Sequence, residues 1–151
     1  MSAPVLAELR ERIGWRRSLV ARLATGPAFV LAALPPAVIR RVLVAVTAGA
    51  RPANAADTAR WRTDVNSVSR RCAGQGCLQR SIAVVLLARL HGSAPTWRTG
   101  FRPDPFVAHA WVEADGAPVG EPPAVAHFHT VLTVSPTADA ERSRRSPSWR
   151  A

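Results

Sequence analysis

The stretch that decides the fold runs from Arg71 to Gly92, RCAGQGCLQRSIAVVLLARLHG, and is read together with Phe106 to Glu121, FVAHAWVEADGAPVGE. In the first, Gly74, Gln75 and Gly76 make a bend. From Cys77 to Leu90 the sequence is then apolar nearly all round, through Leu78, Ile82, Val84, Val85, Leu86, Leu87 and Leu90. A helix with no polar face is the buried centre of a domain. His91-Gly92 closes it and Pro95 forbids its continuation. In the second stretch, Val107, His109, Trp111 and Glu113 alternate with Phe106, Ala108, Ala110 and Val112, the pattern of a strand whose apolar face packs on that helix. A thiol at a helix start, an imidazole on a strand and a carboxylate, Glu121, just past a turn are the parts of a cysteine-nucleophile site.

Outward from this centre, the N-terminal side reads as helical. Residues 4–24 space Leu6, Leu9 and Ile13 as a helix would, Gly26-Pro27 interrupts, and Ala28 to Leu34 is a short apolar helix ended by Pro35-Pro36. Ile39, Val42, Leu43 and Val46 form the next stripe, closed by Gly49 and Pro52. Asn54 is a good N-cap, with Asp57 in the first turn, for a helix bearing Thr58, Trp61, Val65 and Val68 on one face. Cys72 continues that stripe and reads as a small buried hydrophobe. On the C-terminal side, strands are expected over 96–101, 106–113, from the turn to about 121, and 127–134, with 102–105 a loop. Helices first and antiparallel strands after make an α+β fold. One domain is expected over 1–136, with a helical part over 1–70 and a catalytic core over 71–136, followed by a disordered basic tail over 137–151.

Composition bounds the function. The hydrophobic fraction is 48%, enough to form a core, and the net charge is +10, all of it from arginine because the chain has no lysine. Such a charge suits an acidic partner. The arginines are scattered, however, with no interleaved aromatics and no helix-turn-helix pattern, so no nucleic-acid partner is expected. Two cysteines, Cys72 and Cys77, make neither a disulfide framework nor a four-ligand metal site, and a reduced, cytoplasmic setting is expected. Arg16-Arg17 before an apolar run resembles an export signal, but Arg22, Pro35-Pro36 and Arg40-Arg41 interrupt the run, and for the same reason no segment is long enough to span a bilayer.

Cys77 sits where unsatisfied helix N–H groups and the helix dipole favour thiolate and can hold an oxyanion. His109 is the candidate base and acid. The third member depends on the hairpin register. A three-residue turn, Ala114-Asp115-Gly116, pairs His109 with Glu121 on one face; a two-residue Asp115-Gly116 turn pairs Glu121 with Ala110, toward the core. A zinc site built from His109, His127 and His129 is the metal alternative, but no fourth ligand accompanies them, so neither metal nor cofactor is expected.

Cys-Leu-Gln-Arg-Ser at 77–81 and His-Ala-Trp-Val-Glu at 109–113, with Gly92, Gly100 and Phe106 between, resemble the transglutaminase-like cysteine peptidases of lasso-peptide biosynthesis, the stand-alone leader peptidases, over about residues 30–134. The resemblance implies a papain-like or transglutaminase-like core with catalytic Cys77 and His109, and Glu121 where the family usually has Asp. It implies that the Cys77 thiolate cleaves a leader from a ribosomally made precursor peptide. A separate leader-binding protein and an ATP-using cyclase are the implied partners. An acyltransferase of the same fold is the alternative. No catalytic role is expected for Arg80 or Ser81, read as a surface salt bridge and a helix-packing residue.

Overall fold

The computed structural model describes residues 10–137. Five α-helices precede or feed a small antiparallel sheet: α1 Trp15–Ala32, α2 Pro36–Thr47, α3 Ala55–Val68, α4 Arg70–Ala73 and α5 Cys77–Leu90. The strands are β1 Arg51–Pro52, β2 Ser93–Ala94, β3 Thr96–Pro103, β4 Phe106–Ala114, β5 Ala117–Pro118 and β6 His129–Val134, and a 3₁₀ turn covers Pro123–His127. The main sheet has the order β5-β4-β3-β6, and β1 pairs with β2 in parallel.

The α+β layout holds, and α5 is its axis. Ile82, Ala83, Val84, Val85, Leu87 and Ala88 are buried around its circumference. Helices α1, α2 and α3 pack on it, and so do β3 and β4. The sheet contributes Trp97, Val112 and Val134, the first two directly opposite each other across β3 and β4. Trp97 Nε1 donates to Ser81 Oγ at 3.0 Å, which satisfies the one polar atom of a fully buried indole. Ser81 is therefore a helix-packing residue, as its sequence context suggested.

Helix α3 begins where the capping residues predict. Asn54 accepts from the Asp57 N–H at 2.7 Å and its amide donates to the Asp57 carboxylate at 2.9 Å. Thr58, Trp61 and Val65 are buried, and Cys72 beyond them is 0% exposed.

Helix α1 differs from expectation. It starts only at Trp15 and runs unbroken through Gly26-Pro27 to Ala32, and the residues expected to begin it, 4–9, lie outside those described. Pro27 lacks the N–H that would reach Leu23, a cost of about 3 kcal/mol in a helix interior. Buried Ala21, Ala24, Thr25 and Ala28 lie on both sides of that defect, so packing on α5 carries the helix across it. The strand boundaries move as well. β3 reaches Pro103, leaving only Asp104-Pro105 as the turn, β5 stops at Pro118, and Pro123 opens a helical turn where a simple break was expected. Most of the expected tail, 138–151, lies outside the described residues. No described helix is long and apolar enough to cross a membrane.

Candidate active site

Cys77 is the first residue of α5, and its position depends on the bend before it. The Gly76 N–H donates to the Arg71 carbonyl at 2.8 Å. A Cβ at Gly76 would fall 2.6 Å from that same oxygen, so only glycine permits the chain to turn this tightly into the helix. Helix α5 and strand β4 pack together, which brings the thiol close enough to the His109 side chain and the Ala110 backbone amide for both to lower its pKa.

His109 projects from the sheet face that also carries Trp111. Its ring stacks near Trp111, with centroids 6.0 Å apart and planes 11° apart, and meets Phe128 at 5.7 Å. These rings leave the side chain 19% exposed. Its Nε2 lies 2.7 Å from Glu121 Oε2, so the nitrogen left for the thiol is Nδ1.

Glu121 reaches His109 by a different route from the one the pairing register suggested. The turn is the two-residue one: Ala114 pairs with Ala117, Glu113 with Pro118, and Asp115 and Gly116 both have positive φ, 52° and 79°. Carried on, this register would turn Glu121 toward the core opposite Ala110. Pairing ends instead at Val119, whose N–H donates to the Val112 carbonyl at 3.0 Å. Gly120, at φ +69°, then turns the chain out of the sheet, and Glu121 comes back onto the imidazole from a loop. The three-residue hairpin is thus corrected, while the Glu121–His109 contact is present.

Arg62 was not singled out in the sequence, and the structure makes it part of the site. Its Nη1 donates to Glu121 Oε1 at 2.6 Å, and the two side chains are only 7% and 1% exposed. Helix α3 is tied to the hairpin at its start too, where the Ala55 N–H donates to Asp115 Oδ2 at 2.7 Å. Asp115 is therefore engaged elsewhere and does not face His109. A signal for Arg62 existed: it follows Thr58 by one helical turn and adjoins the Trp61 and Val65 stripe, so its charge had to enter the interior.

Arg80 corrects the expectation of a surface salt bridge. It is 5% exposed, and its Nη1 donates to the Cys72 carbonyl at 2.8 Å. One helical turn beyond Cys77, its charge acts on the thiol.

The electrostatics follow. Burial pushes the Cys77 thiol up, but the His109 hydrogen bond, the Ala110 amide and the charges of His109 and Arg80 together hold it below the ordinary thiol range. Burial works against the His109 imidazolium as well, yet its hydrogen bonds to Cys77 and Glu121 and their charges raise it from 6.5 to about 9. Glu121 is raised by burial, lowered more by His109 and Arg62, and ends below the usual carboxylate range. Each group is thus shifted toward its charged form, Cys77 toward thiolate, His109 toward imidazolium and Glu121 toward carboxylate. By contrast, burial leaves Cys72 above the ordinary thiol range.

The histidines of the zinc alternative are not gathered. His129 is opposite Phe101 and His109 is opposite Gly100, so they belong to opposite faces of the sheet, and His127 is in the 3₁₀ turn. Among the described residues, no group of three His, Cys, Asp or Glu could hold a metal ion.

A family model described as the transglutaminase-like superfamily matches residues 11–133, an interval that contains Arg62, Cys77, His109 and Glu121. No curated protein and no solved structure matches the chain.

Proposed function

The chain belongs to the transglutaminase-like superfamily, and we propose, on the resemblance of its 77–81 and 109–113 motifs to the lasso leader peptidases, that it is a cysteine peptidase that removes the leader from a ribosomally made lasso-peptide precursor. Membership supports cysteine peptidase or acyltransferase chemistry. The observation that carries the proposal is the relay Cys77–His109–Glu121, backed by Arg62.

In the proposed mechanism, the Cys77 thiolate attacks the carbonyl of the leader's last residue. Charge develops on the carbonyl oxygen beside the N–H groups that open α5, which have no partner within the helix. The imidazolium of His109 gives its proton to the leaving amine, which departs as the new N-terminus of the core peptide. His109, now neutral, takes a proton from water, whose hydroxyl attacks the thioester and returns Cys77 to the thiolate. Glu121 steadies the imidazolium and fixes the ring, and Arg62 fixes Glu121.

The partners are the precursor, a separate leader-binding protein and a cyclase, and the setting is the cytoplasm. Two features of the N-terminal half support delivery by a partner. Between residues 10 and 70, only the two-residue β1 is extended, so no leader-binding sheet is built there. Helix α1 also exposes Trp15, Leu19, Leu23 and Val30 along one side, with Arg16 and Arg22 beside them, a surface suited to docking.

The test is mass spectrometry on the full precursor with the protein alone, then with the leader-binding partner. Expected are cleavage at one bond, gain of water at the leader's new carboxyl end, and acceleration by the partner. Capture of an added amine in place of water identifies an acyltransferase. Absence of any thiol-dependent product with both partners present refutes the reading.

A further inference from the structure

The face of the sheet that carries His109 also carries arginines at two positions of β3. In the β3–β4 register, Arg98 is opposite Trp111, Gly100 is opposite His109 and Arg102 is opposite Val107. Residues two apart on a strand share a face, so Arg98, Arg102, His109, Trp111 and Glu113 all project to one side. The two arginines are in different states. Arg98 donates to Glu113 at 2.8 Å and its charge is answered. The Arg102 side chain makes no hydrogen bond or ion pair with any described residue, and its Nε is buried without a partner.

What holds Arg102 is an aromatic ring. Its Cζ lies 5.9 Å from the Phe128 centroid, and that same ring is 5.7 Å from His109. Phe128 therefore carries a guanidinium on one flank and the relay's imidazole on another. A guanidinium beside a ring, half-withdrawn from water and offering its donors, is a receptor for a carboxylate. The charge balance agrees. Arg62 is answered by Glu121, and the His109 imidazolium by Glu121 and the Cys77 thiolate, whereas no described carboxylate answers Arg102 on the same sheet face. An anion arriving with the substrate completes the set.

Resting on the thiol chemistry proposed above, we propose that Arg102 is a specificity-determining residue that takes a carboxylate of the substrate peptide close to the scissile bond. Both groups lie within 6 Å of the Phe128 centre, so the carboxylate falls within about three extended residues of the carbonyl that Cys77 attacks. The substrate class is then a peptide with Asp or Glu in that interval, on a side of the bond that the experiment assigns.

The probes are peptide Michael acceptors with residues on both sides of the electrophilic carbon, bearing Glu or Gln at each of three positions on either side. The readout is the rate of thioether formation on Cys77, followed by mass spectrometry in wild type, Arg102→Gln and Arg102→Glu. Wild type is expected to prefer Glu at one position by about 10- to 100-fold. Arg102→Gln is expected to bring that ratio close to one and leave the Gln-probe rates unchanged. Arg102→Glu is expected to prefer a probe with Arg at the same position. An Arg102→Gln protein that labels more slowly with Glu and Gln probes alike shows a purely structural residue and overturns the inference. A wild type that labels readily with no Glu preference at any position overturns it while leaving the thiol chemistry standing. A wild type that no probe labels overturns both.

Discussion

Replacing Glu121 by glutamine separates two effects of one carboxylate. The first is on His109, whose imidazolium is held up to about 9 against an ordinary 6.5. That interval is worth about 3.4 kcal/mol at 1.36 kcal/mol per pH unit. Cys77 and Glu121 are the groups that raise it. Burial opposes them, so the loss of the Glu121 charge lowers His109 and lets the Cys77 thiol rise with it. The second effect is on stability. Arg62 and Glu121 are 7% and 1% exposed, and removing one partner of so buried a pair costs about 3–5 kcal/mol. The assay is the rate of Cys77 alkylation by iodoacetamide against pH, run beside thermal unfolding. Expected for Glu121→Gln is a profile displaced to higher pH, a kcat lowered by about 10- to 100-fold, from 1.4 kcal/mol per tenfold, and a clearly lower melting temperature. Adding Arg62→Met removes the buried cation, so the double variant regains much of the stability while keeping the displaced profile. An alkylation profile for Glu121→Gln that superimposes on wild type would refute the relay, because a carboxylate 2.7 Å from the ring cannot be removed without moving its proton equilibrium.

Cys77→Ala is expected to abolish cleavage with the fold intact, while Cys72→Ala keeps most activity. Iodoacetamide at neutral pH should label Cys77 and spare Cys72, whose thiol is 0% exposed and raised by burial; peptide mapping reads the ratio, and preferential labelling of Cys72 contradicts the assignment. Because the folded-state value of His109 is raised, the stability it contributes is fully present below the free value of 6.5 and is lost as pH rises through about 9. Cleavage and melting temperature should therefore both fall across that alkaline limb, and profiles flat through it would show that the imidazolium is not held. Gly76→Ala puts a Cβ 2.6 Å from the Arg71 carbonyl, and by displacing the start of α5 it should cost about 1–3 kcal/mol of stability and lower kcat at least tenfold; an unchanged kcat would mean that Cys77 does not need this bend.

What the sequence determined by itself lies along the chain. Helix α5 from Cys77 to Leu90 was legible because an apolar run bounded by Gly76 and Pro95 has one physical solution at the centre of a domain. The Asn54 cap and the alternation through His109 were legible because capping and pleating act over three or four residues. Two things were decided only by the tertiary structure. Helix α1 crosses Pro27 because the alanine face on either side is buried against α5, an energy no local pattern records. Glu121 finds His109 only because the chain leaves the sheet at Gly120 and meets Arg62, which arrives from α3 59 residues earlier. The pairing register alone would have sent that carboxylate to the other face. A positive φ and a buried cation from a distant helix set the third member of the relay, and contacts of that range become determinate only when the whole chain has packed.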